Sequence, residues 1–319
     1  MRFAWIALIG LWWCVCASPA SARPDAPTTF SLPQPRQLSV IDGLPSNRVN
    51  ALAEDRQGYL WIATRDGLAR YDGVGFRVWR TEDGLRDNFV WAVHVDAQDR
   101  VWAGTRLGGL SMLDADRQNF THYRHDTHAE IGTDDIWAIS STADGAIWFG
   151  MSETGLYRLA PDWSLRRFVA DATDPGSLPS NAVGYLATDS AGMLWVGTKH
   201  GVARWIDGRF QRLEMPAGLS GALVEGLVFD AQENLWIGVH GRGLVRRADG
   251  VTEAIPLRDP VLGLPPLHML VQDGHGVRWF DTRSGLAREV DGRLVDVPLF
   301  SAASRGLVRP AWVSALEDR

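Results

Sequence analysis

The sequence has little cysteine and almost no lysine. Its two cysteines, Cys14 and Cys16, lie within the first 22 residues, so a chain processed after residue 22 would contain none. Disulfides, zinc thiolates and a cysteine nucleophile are thereby excluded from the processed chain. Lys199 is the single lysine, and the formal net charge is −6. An acidic chain without a long basic stripe is not expected to bind nucleic acid.

Long apolar runs are also absent, except at the N-terminus. Arg2 is followed by an apolar run from Phe3 to Cys16, and Ala20-Ser21-Ala22 matches the small-x-small cleavage pattern. These features predict a signal peptide over residues 1–22, a linker over 23–35 and export to the periplasm. The run is shorter than the roughly 20 residues of a membrane-spanning helix. An uncleaved anchor is the open alternative.

A repeat occupies the rest of the chain. Six tryptophans recur at spacings of 41, 46, 47, 41 and 43 residues, and each stands six residues after an aspartate or, once, a threonine. The tryptophans are Trp61, Trp102, Trp148, Trp195, Trp236 and Trp279. Their partners are Asp55, Asp96, Thr142, Asp189, Asp230 and Asp273. A fixed period of this length indicates a solenoid or a propeller.

Each repeat reads as four short strands, which we name A to D in chain order. In the first copy the pattern predicts strands over residues 49–55, 60–64, 68–71 and 76–80, separated by glycine-containing turns. Strand B is apolar on both faces, which fits sheets stacked side by side around an axis. The fold class is therefore an all-β propeller of four-stranded blades over residues 36–319, with six complete repeats and an incomplete seventh.

The residue two positions after each repeat tryptophan is small in five of the six copies. It is Ala63, Gly104, Gly150, Gly197 or Gly238, which would allow neighbouring blades to approach closely. The sixth copy has Asp281 there. A carboxylate between packed blades must be hydrogen-bonded or paired, so Asp281 is predicted either to make a buried ligand or ion-pair contact or to mark a degenerate blade.

The repeat resembles the two-component regulator propeller repeat. Gly43 to Val49, Asp55 to Thr64 and Gly67 to Tyr71 carry the resemblance, and the fourth copy matches nearly as well. The third copy departs at Thr142 and Met151, and the sixth at Arg278 and Asp281. The resemblance implies the periplasmic sensor region of a hybrid histidine kinase or diguanylate cyclase receptor, which can act as a homodimer.

A seventh copy begins near the C-terminus. Gly306-Leu307 matches the turn, Trp312 takes the strand A position and Asp318 follows six residues later. Residues 36–40 occupy the place of a strand D, as if the two termini shared one blade. We therefore expect a fragment or truncated form of such a receptor, joined to the membrane only through a further C-terminal part.

The turns between strands B and C supply the candidate ligand site. In a propeller they share one face with the D–A connections and surround the central funnel. Five of the six carry arginine or lysine, which suits a small molecule or oligosaccharide with anionic groups. The predicted contacts are Arg65, Arg106, Lys199, His200, His240, Arg242 and Arg283. Five acids on the D–A connections reduce the positive charge; they are Asp42, Asp83, Asp87, Asp134 and Asp135.

Catalytic and cofactor motifs are absent from the sequence. It has no Gly-x-Ser-x-Gly elbow, no His-Glu-x-x-His and no phosphate-binding glycine loop. No catalytic residue, cofactor or metal is predicted, although the spacing of His122, His125 and His128 leaves a metal as a weak alternative. A periplasmic ligand-binding sensor is the favoured function. A propeller glycosidase or lyase acting on polysaccharide and a non-catalytic interaction scaffold are the alternatives.

Overall fold

The computed structural model describes residues 38–259 and 261–297, which form an all-β propeller of six four-stranded antiparallel blades. The predicted fold class is confirmed for these six repeats. The signal peptide, the linker and the seventh repeat fall outside the described residues.

The strands follow one another in the order A, B, C, D within every blade, joined as a meander. Blades 1 to 3 contain β1 (Val49–Glu54), β2 (Leu60–Thr64), β3 (Gly67–Tyr71), β4 (Phe76–Trp79), β5 (Val90–Val95), β6 (Val101–Thr105), β7 (Leu110–Leu113), β8 (Phe120–Tyr123), β9 (Ile136–Ser141), β10 (Ile147–Met151), β11 (Leu156–Leu159) and β12 (Leu165–Phe168). Blades 4 to 6 contain β13 (Val183–Thr188), β14 (Leu194–Thr198), β15 (Gly201–Ile206), β16 (Arg209–Arg212), β17 (Val224–Phe229), β18 (Leu235–Val239), β19 (Gly243–Ala248), β20 (Val251–Ile255), β21 (His268–Gln272), β22 (Arg278–Thr282), β23 (Gly285–Val290) and β24 (Arg293–Asp296).

The strands predicted for the first copy agree with the structure to within one residue at each end. The expected strand over residues 36–40 does not form in its described part. Leu38 and Ser39 are not in a strand, and Val40–Asp42 is a 3-10 turn capped by the Ser39 hydroxyl. The turn is favoured because the Asp42 carboxylate accepts the backbone N–H of Ser39 at 2.8 Å. The other helical segment in the described part is a second three-residue 3-10 turn, so no helix there could span a membrane.

The core lies between blades, where strand A of one blade packs on strand A of the next at five junctions. Five of the repeat tryptophans are no more than 3% exposed, whereas Trp279 of blade 6 is half-buried. The small residues stand where expected. A Cβ built on Gly104 would lie 2.8 Å from Ile136, and one on Gly150 would lie 2.5 Å from Val183. These distances show why a larger side chain would separate the sheets.

A hydrogen bond explains the six-residue spacing between aspartate and tryptophan. The indole Nε1 donates to the Oδ2 atom of that aspartate at 2.7–3.0 Å in five blades. The other carboxylate oxygen accepts backbone N–H groups of the A–B turn, as Asp55 does from Gln57 and Tyr59 at 3.0 Å each. One buried carboxylate thus closes the turn and positions the ring that fills the blade junction.

Blade 3 divides this task between two residues. Thr142 Oγ1 accepts the Trp148 indole N–H at 3.0 Å and donates to Asp144 at 2.5 Å. Asp144 in turn accepts the backbone N–H of Ala146 and pairs with Arg158 at 2.6 Å. With threonine at position 142, the indole of Trp148 still has a hydrogen-bond acceptor, while the carboxylate is supplied two residues later by Asp144.

The departure at Arg278 has an equally local explanation. In blade 6 Arg278 pairs with Glu289 at 2.7 Å, and its guanidinium lies 5.2 Å from the ring centre of Trp236 in blade 5. Arg117 and Arg247 reach the tryptophan of the preceding blade in the same way, at 5.2 Å each. These three cation–π contacts therefore cross the junctions between blades 1 and 2, 4 and 5, and 5 and 6.

Candidate functional site

Hydrogen bonds between turns establish which connections share a face. The backbone N–H of Arg106, in a B–C turn, donates to the carbonyl of Phe89 in the preceding D–A connection at 3.0 Å. On the opposite face Arg117, in a C–D turn, pairs with Asp99 in an A–B turn at 2.8 Å. The B–C turns and D–A connections therefore form one face, which we call the funnel face.

Two of the predicted contact residues converge on one aromatic ring. The guanidinium of Arg65 lies 5.2 Å, and that of Arg106 5.7 Å, from the ring centre of Phe89. Within residues 38–259 and 261–297 neither arginine forms an ion pair, and Arg65 Nε is buried without a hydrogen-bond partner. Arg65 belongs to blade 1 and Arg106 to blade 2, so this pair of cations bridges the junction between them.

The other five predicted residues do not gather at one point. His240 pairs with Glu225 at 2.5 Å, and Arg242 donates to the carbonyl of Gly218. Lys199, His200 and Arg283 are exposed, and their side chains make no hydrogen bond or ion pair with another described residue. Residue type alone therefore identified candidates on the funnel face without identifying which of them meet.

Asp281 is half-buried in β22, opposite His268 of β21. Its carboxylate also acts on Tyr185 in blade 4. Burial raises the pKa of the Tyr185 hydroxyl well above its usual range, and the carboxylates of Glu225 and Asp281 raise it further. Tyr185, Glu225 and Asp281 therefore form an electrostatically linked group from blades 4, 5 and 6.

The acids of the D–A connections already accept hydrogen bonds from neighbouring groups. Asp83 accepts the backbone N–H of Arg80 at 2.9 Å, and Asp87 accepts that of Leu107 at 2.8 Å. Asp134 accepts the backbone N–H of His125 at 2.8 Å. These carboxylates shape the connections and, among the described residues, do not pair with Arg65 or Arg106, so they do not neutralise the two guanidinium groups.

A ring of β-bulges surrounds the funnel, and sequence reasoning missed it. The register of strand A shifts by one residue near its funnel-face end in blades 1 to 5. The residues at these shifts are Asn50, Trp91, Trp137, Gly184 and Glu225. A bulge leaves one residue unpaired and re-aims its side chain. In blade 6 the shift lies two positions later, at Leu270.

Two bulge residues form an aromatic pair. The ring centres of Trp91 and Trp137 are 6.1 Å apart at an interplanar angle of 51°. Both indole N–H groups donate to one carboxylate, since Trp91 Nε1 bonds Asp135 Oδ1 at 3.0 Å and Trp137 Nε1 bonds Asp135 Oδ2 at 2.8 Å. Phe89 extends the pair, with its ring centre 4.5 Å from that of Trp91. The signal in the sequence was a second tryptophan eleven residues before the repeat tryptophan in blades 2 and 3.

The three histidines considered for a metal site have separate partners. The Nδ1 atom of His122 bonds Ser111 Oγ at 2.9 Å, and that of His128 bonds Thr127 Oγ1 at 2.9 Å. His125 Nδ1 lies against the carbonyl of Ile131. No group of three potential ligands is assembled anywhere in the part of the chain that the structure describes.

A separate cavity of about 420 Å³ lies between blades 4 and 5, lined by outer-strand residues that include Arg204, Arg212 and Arg247. Its lining contains none of the funnel-face residues described above. We therefore base the candidate site on the funnel face, where cations, aromatic rings and bulged strands meet.

Comparison with known proteins agrees with this architecture. Residues 43–66, 84–106 and 177–200 match the model of the family described as two component regulator propeller. A 45-residue stretch is 40% identical to "Histidine kinase P4" of Formosa agariphila, covering 14% of this chain and 3% of that protein.

Solved structures show the same fold at low sequence identity. Two are described as extracellular domains of hybrid two component systems from B. thetaiotaomicron, with TM-scores of 0.63 and 0.65 and identities of 21% and 18%. The matches cover 79% and 80% of this chain but only 35% and 37% of those domains. A third is virginiamycin B lyase from Staphylococcus aureus, with a TM-score of 0.62 and 14% identity over 81% of this chain and 87% of that one.

The family match falls on three separate blades and coincides with the strands and turns that carry the Asp–Trp hydrogen bond. Stretches of blades 1, 2 and 4 therefore match the two component regulator propeller model, and the six described blades share the propeller fold of these solved structures.

Proposed function

We propose that this chain is the ligand-binding sensor propeller of an exported signal-transduction receptor, and that its ligand binds on the funnel face. The repeat type and the likeness to extracellular domains of two component systems support a sensor role. The observation that carries the ligand site is the convergence of Arg65 and Arg106 on Phe89 without an ion-pair partner among the described residues.

The chemistry of this pair favours an anionic small molecule or oligosaccharide. Guanidinium groups bind carboxylates and sulfates through paired N–H donors. Both groups contact the ring of Phe89, so part of the entropic cost of ordering them is already met before binding. A carboxylate of the ligand would supply the acceptors that Arg65 and Arg106 lack here.

Ligand binding at this point would act on a blade junction. Arg65 belongs to blade 1 and Arg106 to blade 2, so a shared anion links the two blades. A ligand shifts a conformational equilibrium only through its differential affinity for the two states. If the geometry of the junction between blades 1 and 2 differs in the two conformational states, an anion that bridges the junction binds one state more tightly. The resulting shift toward that state is the signal that a neighbouring module would receive.

The test is a thermal-shift screen of the purified chain against neutral and anionic oligosaccharides, followed by titration of each hit. We expect an anionic ligand to raise the melting temperature, and Arg65→Gln with Arg106→Gln to weaken its binding at least about tenfold. Arg166 is a matched control, because it stacks on Phe168 at 4.7 Å on an outer strand. The proposal would be contradicted if Arg166→Gln lost as much ligand affinity as the double variant, or if the double variant lost none.

A lyase or glycosidase is the second candidate, supported by the hydrogen-bonded pair of Glu225 and His240 on the funnel face and by a lyase among the structures of similar fold. A carboxylate next to an imidazole can serve as a general acid–base pair. The discriminating measurement is product formation from every oligosaccharide that binds. Turnover that Glu225→Gln abolishes selects the enzyme, and binding without turnover selects the sensor.

Export is part of the same proposal. The sequence pattern over residues 1–22 is that of a cleavable signal peptide. N-terminal sequencing of the chain recovered from a bacterial periplasmic fraction tests this. We expect a first residue close to Arg23, and an intact Met1 in the membrane fraction would indicate an uncleaved anchor.

A further inference from the structure

The aromatic pair formed by Trp91 and Trp137 indicates which class of ligand binds at the funnel face. The inference drawn from it rests on the proposed function. We propose that Trp91 and Trp137 form a stacking subsite for the pyranose ring of an oligosaccharide. The anionic group of such a ligand would lie toward Arg65 and Arg106, and its next sugar residue would lie toward Glu225 and His240.

The exposure of Trp137 sets it apart from the tryptophans that build the fold. Trp137 is 40% exposed, whereas five of the six repeat tryptophans are at most 3% exposed. The corresponding bulge positions in blades 1, 4 and 5 hold Asn50, Gly184 and Glu225. The bulge therefore does not require an aromatic residue, and packing does not account for an exposed indole at the funnel.

The two rings are held in a fixed orientation before any ligand arrives. Asp135 accepts both indole N–H groups, one on each carboxylate oxygen. Phe89 packs against Trp91 from the side of Arg65 and Arg106. A preorganised platform loses little conformational entropy on binding.

A glycine adjoins the platform on the side of blade 4. A Cβ added to Gly184, the neighbouring bulge residue, would contact Trp137 Cε3 at 3.9 Å. A larger side chain at position 184 would therefore lie against this edge of the indole. Blade 5 follows with Glu225 and His240, so a ligand that lies on Trp137 and extends around the funnel next meets a carboxylate and an imidazole.

The surrounding groups match a sugar better than other flat or charged ligands. Each sugar hydroxyl is both donor and acceptor, and the platform is flanked by donors (Arg65, Arg106) and by acceptors (Asp135, Glu225). The axial C–H face of a pyranose is apolar and packs on an aromatic ring, while its rim of hydroxyls stays polar. A quaternary ammonium ligand would also stack on indoles, but the two guanidinium groups beside Phe89 would repel it. The angle of 51° between the rings suits two successive, mutually twisted sugar residues better than one extended planar ligand.

The experiment follows the indole N–H signals of the purified, ¹⁵N-labelled chain by NMR. The signals of Trp91 and Trp137 are assigned from Trp91→Phe and Trp137→Phe. Probes are neutral hexasaccharides of glucose, xylose and mannose and the anionic hexagalacturonate, each at millimolar concentration. We expect at least one probe to shift both signals in a saturable way.

Two variants then test the platform by different routes. Trp137→Ala removes the ring, and Gly184→Leu covers its edge at a position without a positive φ. Each is expected to weaken binding about tenfold. Trp163→Ala is the matched control, because Trp163 is 48% exposed in a C–D turn on the opposite face, and it is expected to leave the affinity unchanged. The melting temperature of each variant shows that it is folded.

The outcomes separate this inference from the proposed function. The inference is overturned if no saccharide shifts both signals, or if Trp137→Ala binds the probe as tightly as the unmodified chain. The sensor proposal survives either result when the Arg65→Gln, Arg106→Gln double variant loses binding of a ligand found in the thermal-shift screen. It fails separately when that double variant retains full affinity.

Discussion

The indole of Trp61 donates a hydrogen bond of 2.8 Å to the Oδ2 atom of Asp55, and both side chains are buried. Arg117 of the next blade lies 3.4 Å from the same carboxylate and 5.2 Å from the centre of the indole ring. One contact thus connects the A–B turn of blade 1, the core tryptophan and the junction with blade 2.

Asp55→Ala should therefore destabilise the propeller far more than removal of a surface acid. The substitution leaves the buried guanidinium of Arg117 and the Trp61 N–H without this acceptor, and breaking a buried ion pair costs about 3–5 kcal/mol. Urea unfolding should show a lower midpoint. Asp66 is the control, because its side chain is 51% exposed in its pair with Arg80, and Asp66→Ala should cost less than about 1 kcal/mol. Similar midpoints for the two variants would count against the structural role of Asp55.

Restoring the repeat consensus in blade 3 should not stabilise the chain. Thr142 Oγ1 donates to Asp144 at 2.5 Å, so Thr142→Asp would place two carboxylates in contact at the A–B turn. Like charges at that distance repel, and we expect a loss of about 1 kcal/mol or more in the free energy of unfolding. The double variant Thr142→Asp, Asp144→Asn should recover part of this loss. A more stable single variant would show that the exchange of roles between Thr142 and Asp144 is incidental.

Close approach of the blades makes Gly150 sensitive to a single methyl group. A Cβ there would lie 2.5 Å from Val183 Cγ1 and 2.8 Å from the Val183 carbonyl oxygen, which belongs to the backbone of the next blade. Gly150→Ala should cost about 1–3 kcal/mol through overpacking. Gly75 has nothing within 4 Å of a built Cβ, so Gly75→Ala should leave stability nearly unchanged. Thermal unfolding of the two variants in one buffer compares them.

Stability should fall as the pH drops from 6.5 to about 4, because of His94. Its side chain bonds Ser141 Oγ at 2.9 Å across the junction of blades 2 and 3. Burial lowers the pKa of His94 from 6.5 to about 4, against a smaller raising effect of Asp96. Between these values the unfolded chain binds a proton that the native chain does not, so unfolding is favoured as pH falls.

The full effect of His94 is roughly 3 kcal/mol and is complete below its native pKa. The measurement is the free energy of unfolding in urea at pH 7 and at pH 5. His94→Asn removes the titrating group, so its stability should decline less over this interval. His200→Asn, at an exposed position, should decline as much as the unmodified chain. Equal slopes in all three chains would show that His94 is not the group responsible.

The fold could be predicted from the sequence because the repeat places the same chemistry at the same offset in every blade. The six residues from Asp55 to Trp61 span the A–B turn and the first residues of strand B. The small residue at position 150 marks the place where one blade packs on the next. The strand expected at residues 36–40 does not form in residues 38–40, because the Asp42 carboxylate caps a 3-10 turn there. Local capping outweighed the analogy with other blades.

The candidate site could be predicted only in part. Charge on the B–C turns pointed to the funnel face, but the sequence did not show that Arg65 and Arg106 both reach the ring of Phe89. Trp91 and Trp137 take equivalent positions on neighbouring strands A, and their bulges and the shared Asp135 carboxylate set the orientation of the two rings. A bulge is a feature of strand register, which the repeat pattern of a single chain does not specify.

The most direct test of the ligand site is calorimetric titration of anionic oligosaccharides, beginning with hexagalacturonate, into three forms of the purified chain. These are the unmodified chain, the Arg65→Gln, Arg106→Gln double variant and Arg166→Gln. The account predicts equal affinity for the unmodified chain and Arg166→Gln, and at least about tenfold weaker binding to the double variant. Equal affinity for all three forms, or no binding of any anionic ligand to the unmodified chain, would contradict it.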